Sequence, residues 1–312
     1  MNIADVKQTL RGPLIPVITN LKDDLSIDHD AIRKNVEYVV ERGIVKGQGV
    51  LLAVGAGGDF PILSVAERKS VAKTIQDAAA GRTPVLVGAQ DTNVNVRVEM
   101  AKWADEIGAY GIQMSPGYYY KSMDAECLRV FETVHNATSN IALMIYNTPW
   151  EGYNMSLDQI ARLVEFPRCV GLKWQTSDGV SAYMRGVTRF ADSLAVVCNS
   201  GLHVMNHILG GTGYITHLAT VWPEHELEVW RLLEARDYES AQKKITATNW
   251  LWSDFRRKMW NSSRAESPVV KAALDICGRP GGSSRIPTRA LNEQECAELK
   301  RLLTHIGVPG AN

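Results

Sequence analysis

Residues 141–175 read IALMIYNTPWEGYNMSLDQIARLVEFPRCVGLKWQ, and this stretch decides the fold class. It opens and closes on short apolar runs, 141–147 and 170–175, that are nearly continuous rather than alternating. Such runs are typical of parallel strands that are buried on both faces. Between them, Ser156-Leu-Asp-Gln159 has the form of a helix-capping box and precedes a helical stretch at 160–165. The segment therefore predicts a strand, a helix and a second parallel strand.

The same unit recurs along the first 220 residues. Helical stretches such as 68–79, which follows a second capping box at Ser64-Val-Ala-Glu67, alternate with apolar runs. These runs begin 19 to 35 residues apart, at Leu14, Gly49, Pro84, Gly111, Ile141, Val170, Leu194 and Gly213. Eight alternations of strand and helix predict an α/β fold, the (β/α)8 TIM barrel, because doubly wound sheets rarely reach eight such units.

Beyond residue 222 the pattern changes to helices alone. They are predicted at 224–235, 238–260, 267–276 and 292–306. Because no linker rich in Pro, Gly or Ser precedes them, we predict a barrel at 1–222 and a C-terminal helical appendix at 223–312 that packs on the barrel.

The composition narrows the class of protein. The 312 residues include 34 Lys and Arg against 34 Asp and Glu, so the chain lacks the basic excess with which a nucleic-acid binder neutralises phosphates. The apolar runs are far shorter than the ~20 residues of a membrane helix, and the N-terminus has no apolar signal region. Five scattered cysteines without a Cys-x-x-Cys pair predict reduced thiols in a cytoplasmic protein. We therefore expect neither nucleic acid nor a membrane as a partner.

A barrel places its chemistry at the C-terminal ends of its strands, which makes Lys173 the most informative residue. It lies inside the apolar strand Val170-Gly-Leu-Lys-Trp174. Desolvation of a buried ammonium is costly and favours a neutral, nucleophilic amine. The structural alternative is a lysine that snorkels to solvent or pairs with a carboxylate.

Other polar residues follow other strands. Tyr146 ends an apolar strand, where its phenol could relay a proton to a lysine adduct or close the top of the core. The glycines of Gly55-Ala-Gly-Gly-Asp59 could let backbone N–H groups wrap a carboxylate or only form a tight turn. His203 and His207 lack the glutamate of a zinc-protease helix, so we interpret them as histidines on a polar helix face and expect no metal site.

These motifs, in their order and spacing, resemble the dihydrodipicolinate synthase/N-acetylneuraminate lyase superfamily over almost the whole chain. They are Gly12-Pro-Leu-Ile-Pro-Val-Ile-Thr19, Gly55-Ala-Gly-Gly-Asp-Phe-Pro-Ile-Leu-Ser64, Tyr146-Asn-Thr-Pro149, Gly171-Leu-Lys173, Gly210-Gly-Thr-Gly213, and the tail Pro268-Val-Val-Lys271 with Arg285-Ile-Pro287. The resemblance implies a carbon–carbon or carbon–oxygen lyase of the class I aldolase type. Lys173 would form an imine with pyruvate or a 2-keto-3-deoxy acid. A homotetramer is implied, with no cofactor beyond the covalent imine.

The resemblance also assigns roles to other residues. Tyr146 would relay protons to and from the adduct. The backbone N–H groups of Ala56 and Gly57 would hold the substrate carboxylate, and we expect further substrate contacts from Tyr119 and Ile215.

Several positions depart from the family pattern. Ala56 and Gly57 replace threonines, one of which usually links the catalytic tyrosine to a second tyrosine of a neighbouring subunit. Glu151 stands where the lysine-pathway synthases have an arginine that binds a substrate carboxylate, and its charge would repel a dicarboxylate. Trp174 and Gln175 after the lysine predict a pocket that is reshaped for a more aromatic or apolar acceptor.

We therefore interpret the chain as a Schiff-base lyase of a 2-oxo acid, acting as an aldolase, hydratase-aldolase or dehydratase. One alternative is 4-hydroxy-tetrahydrodipicolinate (dihydrodipicolinate) synthase, which Glu151 and Ala56 disfavour. The other is a catalytically idle homologue that binds a keto acid. The lost threonines favour it, and the presence of both Lys173 and Tyr146 opposes it.

Overall fold

A computed structural model describes residues 1–120, 122–263 and 265–311. Eight parallel strands form a closed barrel in chain order, with helices after the strands, so the predicted (β/α)8 barrel is confirmed. The strands are β1 (Gly12–Pro16), β2 (Val50–Ala53), β3 (Val85–Gly88), β4 (Gly111–Met114), β5 (Ala142–Tyr146), β6 (Cys169–Trp174), β7 (Ala195–Cys198) and β8 (Gly213–Ile215).

Every strand residue except the last residue of β8 is buried, as the near-continuous apolar runs predicted. The helices are α1 (Ile3–Thr9), α2 (His29–Glu41), α3 (Val65–Ala79), α4 (Val94–Glu106), α5 (Asp124–Ala137), α6 (Leu157–Val164), α7 (Gly179–Phe190), α8 (His203–Ile208), α9 (Leu218–Val221), α10 (Pro223–Glu234), α11 (Tyr238–Lys244), α12 (Trp250–Trp260), α13 (Ser267–Ile276) and α14 (Glu293–Ile306). None of the helices in the described ranges is long and apolar enough to cross a membrane.

The helix starts follow the capping residues. Ser64 and Glu67 form a reciprocal capping box that begins α3. The Ser156 side chain accepts a hydrogen bond from the backbone N–H of Gln159, which satisfies one of the unpaired N–H groups at the start of α6. Asn93 begins α4 in the same way.

The first of two compact units comprises residues 1–14, 45–51 and 83–215. It contains most of the barrel strands, and its centre is a set of apolar strand residues with almost no exposed surface: Ile112, Leu143, Ile145, Leu172 and Val196. Adjacent strands from β3 to β8 are paired in parallel within this unit.

The second unit comprises residues 15–44, 52–82 and 216–312. One apolar cluster joins α9 to the three C-terminal helices, with Leu218 and Val221 packed among residues such as Phe255, Leu274 and Leu303. The predicted helix at 238–260 is interrupted by a π-helical turn, Ile245–Asn249, between α11 and α12. The predicted division of the chain at residue 222 stays a prediction.

Candidate active site

Lys173 and Tyr146 lie side by side on neighbouring strands. Tyr146 is the last residue of β5 and pairs in parallel register with Lys173 of β6. Both side chains are buried, 6% and 5% exposed, and the Nζ atom of Lys173 lies 4.0 Å from the centre of the Tyr146 ring. A cation held over an aromatic face at this distance is in favourable contact. The structure therefore brings together the predicted nucleophile and the predicted proton relay.

Strand alternation separates Lys173 from its neighbour Trp174. Successive side chains of a strand point to opposite faces. Trp174 accordingly stacks on Tyr183 of α7 and donates its indole N–H to the Tyr183 carbonyl at 3.0 Å. A Cβ at Gly186 would lie 2.6 Å from the Trp174 ring, so this glycine makes room for the indole. The prediction that Trp174 reshapes the pocket is therefore wrong, because the ring packs under α7.

Two N–H groups reach the phenolic oxygen of Tyr146. The Trp150 indole donates to it at 3.2 Å and the Asn199 amide at 3.4 Å. Asn199 is in turn hydrogen-bonded to the side-chain amide of Gln175, which follows β6. Donors aimed at a phenolic oxygen stabilise negative charge on it, which suits a residue that must take up and return a proton.

Glu151 occupies the 3-10 turn Pro149–Glu151, which follows β5 and precedes α6. Its side chain is half-buried, but its Oε2 atom is fully buried and has no hydrogen-bond partner within the described residues. Burial raises the pKa of the Glu151 carboxyl, while the side chains of Thr148 and Ser115 and the charges of Arg97 and Lys173 act in the opposite direction. The predicted acceptor-side residue is thus a carboxyl electrostatically coupled to the candidate nucleophile.

Arg97 supplies a buried positive charge to this cluster. It projects from α4, and its three guanidinium nitrogens donate to the backbone carbonyls of Asp91, Ser115 and Pro116. Burial lowers its pKa, and the charge of Glu151 partly offsets that effect. Arg97 therefore holds the loop that follows β4 and places a cation near Glu151.

Tyr119 lies in the loop between β4 and α5, and Ile215 is the last residue of β8. The Tyr119 ring is 80% exposed and meets Tyr120 edge to face at 5.1 Å. It lines a cavity of about 600 Å³ together with Thr92, Asn93, Gly117, Ser122 and Cys127. Ile215 ends β8 in register with Leu14 of β1. Their predicted substrate contacts stay predictions.

Ala56 and Gly57 open a 3-10 turn, Ala56–Gly58, in the second unit. The N–H groups at the start of such a turn have no partner inside it, which suits the predicted carboxylate contact. A Cβ at Gly57 would lie 2.6 Å from the Nε2 atom of His217 and 2.8 Å from the Cβ atom of Pro16. The side chain that the family's loop usually has here is therefore excluded by the histidine.

Asp59 ends this turn in the left-handed region, at φ 61°. A non-glycine residue in this region is held by its surroundings. Its carboxylate accepts a hydrogen bond from Ser267 at 2.6 Å and pairs with Lys271 at 3.1 Å, both of α13, with the charged side chains only 4% exposed. The predicted tail motif at 268–271 thus anchors the glycine-rich turn.

The histidine pair on α8 differs from the prediction. His203 is buried and stacks on Tyr214, with ring centres 4.1 Å apart, so it does not lie on a polar helix face. Burial lowers the pKa of His203 to about 4. Within the ranges that the structure describes, no three His, Cys, Asp or Glu side chains are grouped as a metal site.

The sequence did not point us to Arg97 or His217 as residues around the site. An arginine on the apolar face of α4 was a signal that could have identified Arg97. His217 could not be found in this way, because its role depends on the position of Gly57.

Comparisons with known proteins find one family over nearly the whole chain. The profile of the "Dihydrodipicolinate synthetase family" matches residues 9–306. A 4-hydroxy-tetrahydrodipicolinate synthase from Methanospirillum hungatei is 29% identical over 282 residues, 89% of this chain and 92% of the relative. An Escherichia coli K12 protein named "Putative 2-dehydro-3-deoxy-D-gluconate aldolase YagE" is 28% identical over 309 residues, 95% of this chain and 96% of the relative. The crystal structure of YagE in complex with pyruvate has a TM-score of 0.85 at 25% identity, covering 96% of this chain and 99% of that chain.

The structure is a closed (β/α)8 barrel with a buried lysine beside a tyrosine, and the family match together with the named relatives makes the protein an enzyme, a lyase of the class I aldolase type. The match over residues 9–306 makes the assignment specific. This chain belongs to the dihydrodipicolinate synthetase family.

Proposed function

We propose that Lys173 forms an imine with the ketone of pyruvate or of a 2-keto-3-deoxy acid. The contact that carries this proposal is the 4.0 Å approach of the Lys173 Nζ atom to the Tyr146 ring, in a buried site. The amine adds to the C2 carbonyl, and the carbinolamine then loses water to give the protonated imine. This iminium accepts the electron pair that is released when a bond to carbon or oxygen breaks farther along the substrate.

Tyr146 is the proton relay in this proposal. Its oxygen accepts hydrogen bonds from the N–H groups of Trp150 and Asn199, which stabilise the phenolate after the phenol has given up its proton and before it takes one back. The backbone N–H groups of Ala56 and Gly57 are proposed to bind the substrate carboxylate, and Tyr119 and Ile215 to contact the rest of the substrate.

Borohydride trapping tests the imine. Incubation with pyruvate and borohydride is expected to add one reduced adduct per chain on Lys173, detected by intact mass and peptide mapping, and Lys173→Ala should abolish it. Lys271→Arg serves as a control, since Lys271 is equally buried but engaged by Asp59. No adduct with any 2-oxo acid, or an adduct only on another lysine, would overturn the proposal.

A 4-hydroxy-tetrahydrodipicolinate synthase is the second candidate, because relatives carry that name. Its acceptor, aspartate semialdehyde, brings a second carboxylate. The Glu151 carboxyl disfavours such an anion by roughly 1–3 kcal/mol when ionised. We therefore propose that this chain makes that product poorly or not at all, which a coupled assay with pyruvate and aspartate semialdehyde measures. An idle keto-acid binder would trap pyruvate without turning over any substrate.

The remaining proposals concern cofactors and assembly. Because an iminium already supplies the electron sink, activity is expected to survive exhaustive EDTA treatment. A homotetramer is expected in solution, and a monomer by light scattering at micromolar concentration would contradict it. All five cysteines are free thiols, which supports the proposed cytoplasmic location.

A further inference from the structure

Glu151, in the turn that follows β5, has no task in the chemistry described so far. Glu151 follows β5 by five residues, and the Trp150 beside it donates its indole N–H to Tyr146. The Glu151 Oε2 atom is fully buried and accepts no hydrogen bond within the described part of the chain. A buried carboxyl oxygen without a donor is costly in a folded protein and calls for an explanation. A hydroxyl group of a bound substrate would donate the missing hydrogen bond to Oε2.

The positive charges of Arg97 and Lys173 act on the Glu151 carboxyl. The three Arg97 nitrogens are directed to backbone carbonyls, so that guanidinium acts on Glu151 through its charge. The side chains of Thr148 and Ser115 hydrogen-bond to the Glu151 carboxyl, and the charges of Arg97 and Lys173 act on it through space. Burial raises the pKa of Glu151 and these groups lower it. Opposed effects of this kind let a carboxyl both hold and release a proton.

Tyr146 and Glu151 have different surroundings. The Tyr146 oxygen already receives N–H groups of Trp150 and Asn199 and its ring faces the Lys173 amine, so it suits proton transfers at the imine. Glu151 has a buried oxygen, Oε2, that has no hydrogen-bond donor within the described residues. The acceptor part of a substrate needs a residue that transfers a proton. Its hydroxyl oxygen loses a proton when the carbon–carbon bond breaks, and its carbonyl oxygen gains one when the bond forms.

We propose that Glu151 is the catalytic acid–base residue of the acceptor half-reaction, and that the acceptor is an uncharged aldehyde. The inference rests on the proposed imine at Lys173. In cleavage, the Glu151 carboxylate takes the proton of the C4 hydroxyl, C4 becomes the aldehyde carbon, and the C3–C4 bond breaks. The electron pair of that bond forms the C2–C3 double bond of the enamine as the iminium nitrogen becomes neutral. In addition, enamine C3 attacks the aldehyde, and the Glu151 carboxyl returns its proton to the aldehyde oxygen.

Two reactions of the same 312-residue protein separate this role from imine formation. Exchange of the pyruvate methyl protons in D2O, followed by NMR, needs the imine but no acceptor. Condensation of pyruvate with glycolaldehyde, D-glyceraldehyde or benzaldehyde needs both halves. The variants are Glu151→Gln, which keeps the shape but cannot transfer the proton, and Glu151→Asp, which keeps the carboxyl. Glu165→Gln, an exposed glutamate after α6, is the control.

We expect Glu151→Gln to lose about 10²- to 10⁴-fold in kcat for condensation, the usual contribution of a general acid or base. Proton exchange and borohydride trapping should change by less than about tenfold, and Glu151→Asp should recover part of the loss. The limb of the kcat–pH profile that belongs to Glu151 should disappear in Glu151→Gln.

Equal losses in exchange and condensation would overturn the proposal and make Glu151 a structural residue. A wild-type protein that traps pyruvate but condenses none of the aldehydes would also overturn it. A wild-type protein that traps no 2-oxo acid would instead refute the imine, so the two failures are distinguishable.

Discussion

The imidazole ring of His217 occupies the space that a side chain at Gly57 would need. The Nε2 atom of His217 lies 2.6 Å from the position of a Cβ atom on Gly57, closer than two such atoms can approach. The same nitrogen is held by the Glu266 carboxylate at 3.0 Å, so the ring cannot easily retreat. The replacement of a family threonine by Gly57 is therefore accompanied by a histidine that fills its place.

Restoring a threonine at Gly57 should destabilise the protein. Because overpacking of a buried site costs typically 1–3 kcal/mol, Gly57→Thr is expected to lower the free energy of unfolding in urea by about that amount. In a His217→Ala background the cost should shrink by about 1 kcal/mol or more, since the two sites are coupled. Ala56→Thr, at a half-buried position of the same turn, is the control. If the effects of Gly57→Thr and His217→Ala on the free energy of unfolding are additive, the two side chains do not compete for the same space.

Breaking the buried ion pair between Lys271 and Asp59 from one side only should strongly destabilise the protein. Removing one partner of a buried pair leaves an uncompensated charge and costs roughly 3–5 kcal/mol, so Lys271→Met should show a large loss in chemical denaturation. Adding Asp59→Asn to that variant should recover part of the loss. Lys73→Met removes a pair at 2.6 Å between half-exposed side chains and should cost no more than about 1 kcal/mol. Similar losses in the free energy of unfolding for Lys271→Met and Lys73→Met would show that burial does not determine the cost of breaking an ion pair.

The indole of Trp150 should assist Tyr146. Trp150→Phe keeps the ring and removes one N–H donor worth about 1 kcal/mol, so we expect the exchange of pyruvate methyl protons to slow about fivefold. The final extent of borohydride trapping should hardly change. Trp250→Phe removes an indole that is equally exposed, 49% against 50%, and should leave exchange unaltered. If proton exchange slows equally in Trp150→Phe and Trp250→Phe, the slower exchange results from general destabilisation of the protein.

His203 should make the stability depend on pH. Its pKa is lowered by burial from 6.5 to about 4, so the unfolded chain binds this proton at a higher pH than the folded chain does. The contribution of the neutral His203 side chain to the free energy of unfolding is fully present above pH 6.5. It is lost as the pH falls toward 4, by about 3 kcal/mol in total. In His203→Phe the free energy of unfolding should fall less steeply over this window. An unchanged slope would place the acid sensitivity elsewhere.

Particular residues show how far sequence reasoning reached. The apolar runs around Lys173 and Tyr146 predicted neighbouring strand ends, and register pairing puts both residues at one level. Trp174, one residue further, was assigned to the pocket because a linear pattern does not show which way a strand faces. His203 was assigned to a polar surface although it is buried, because the short helix α8 offers too few residues to define its faces.

The sequence by itself determined the barrel and the order of its strands, and it marked Lys173 and Tyr146 as candidate site residues, because these depend on local periodicity and on position along the chain. Only the tertiary structure decided the surroundings of Glu151 and the exclusion of a side chain at Gly57. These features join residues far apart in sequence, such as Arg97 with Glu151 and Gly57 with His217. Desolvation, charge and steric contact act through distances in space, and folding alone sets those distances.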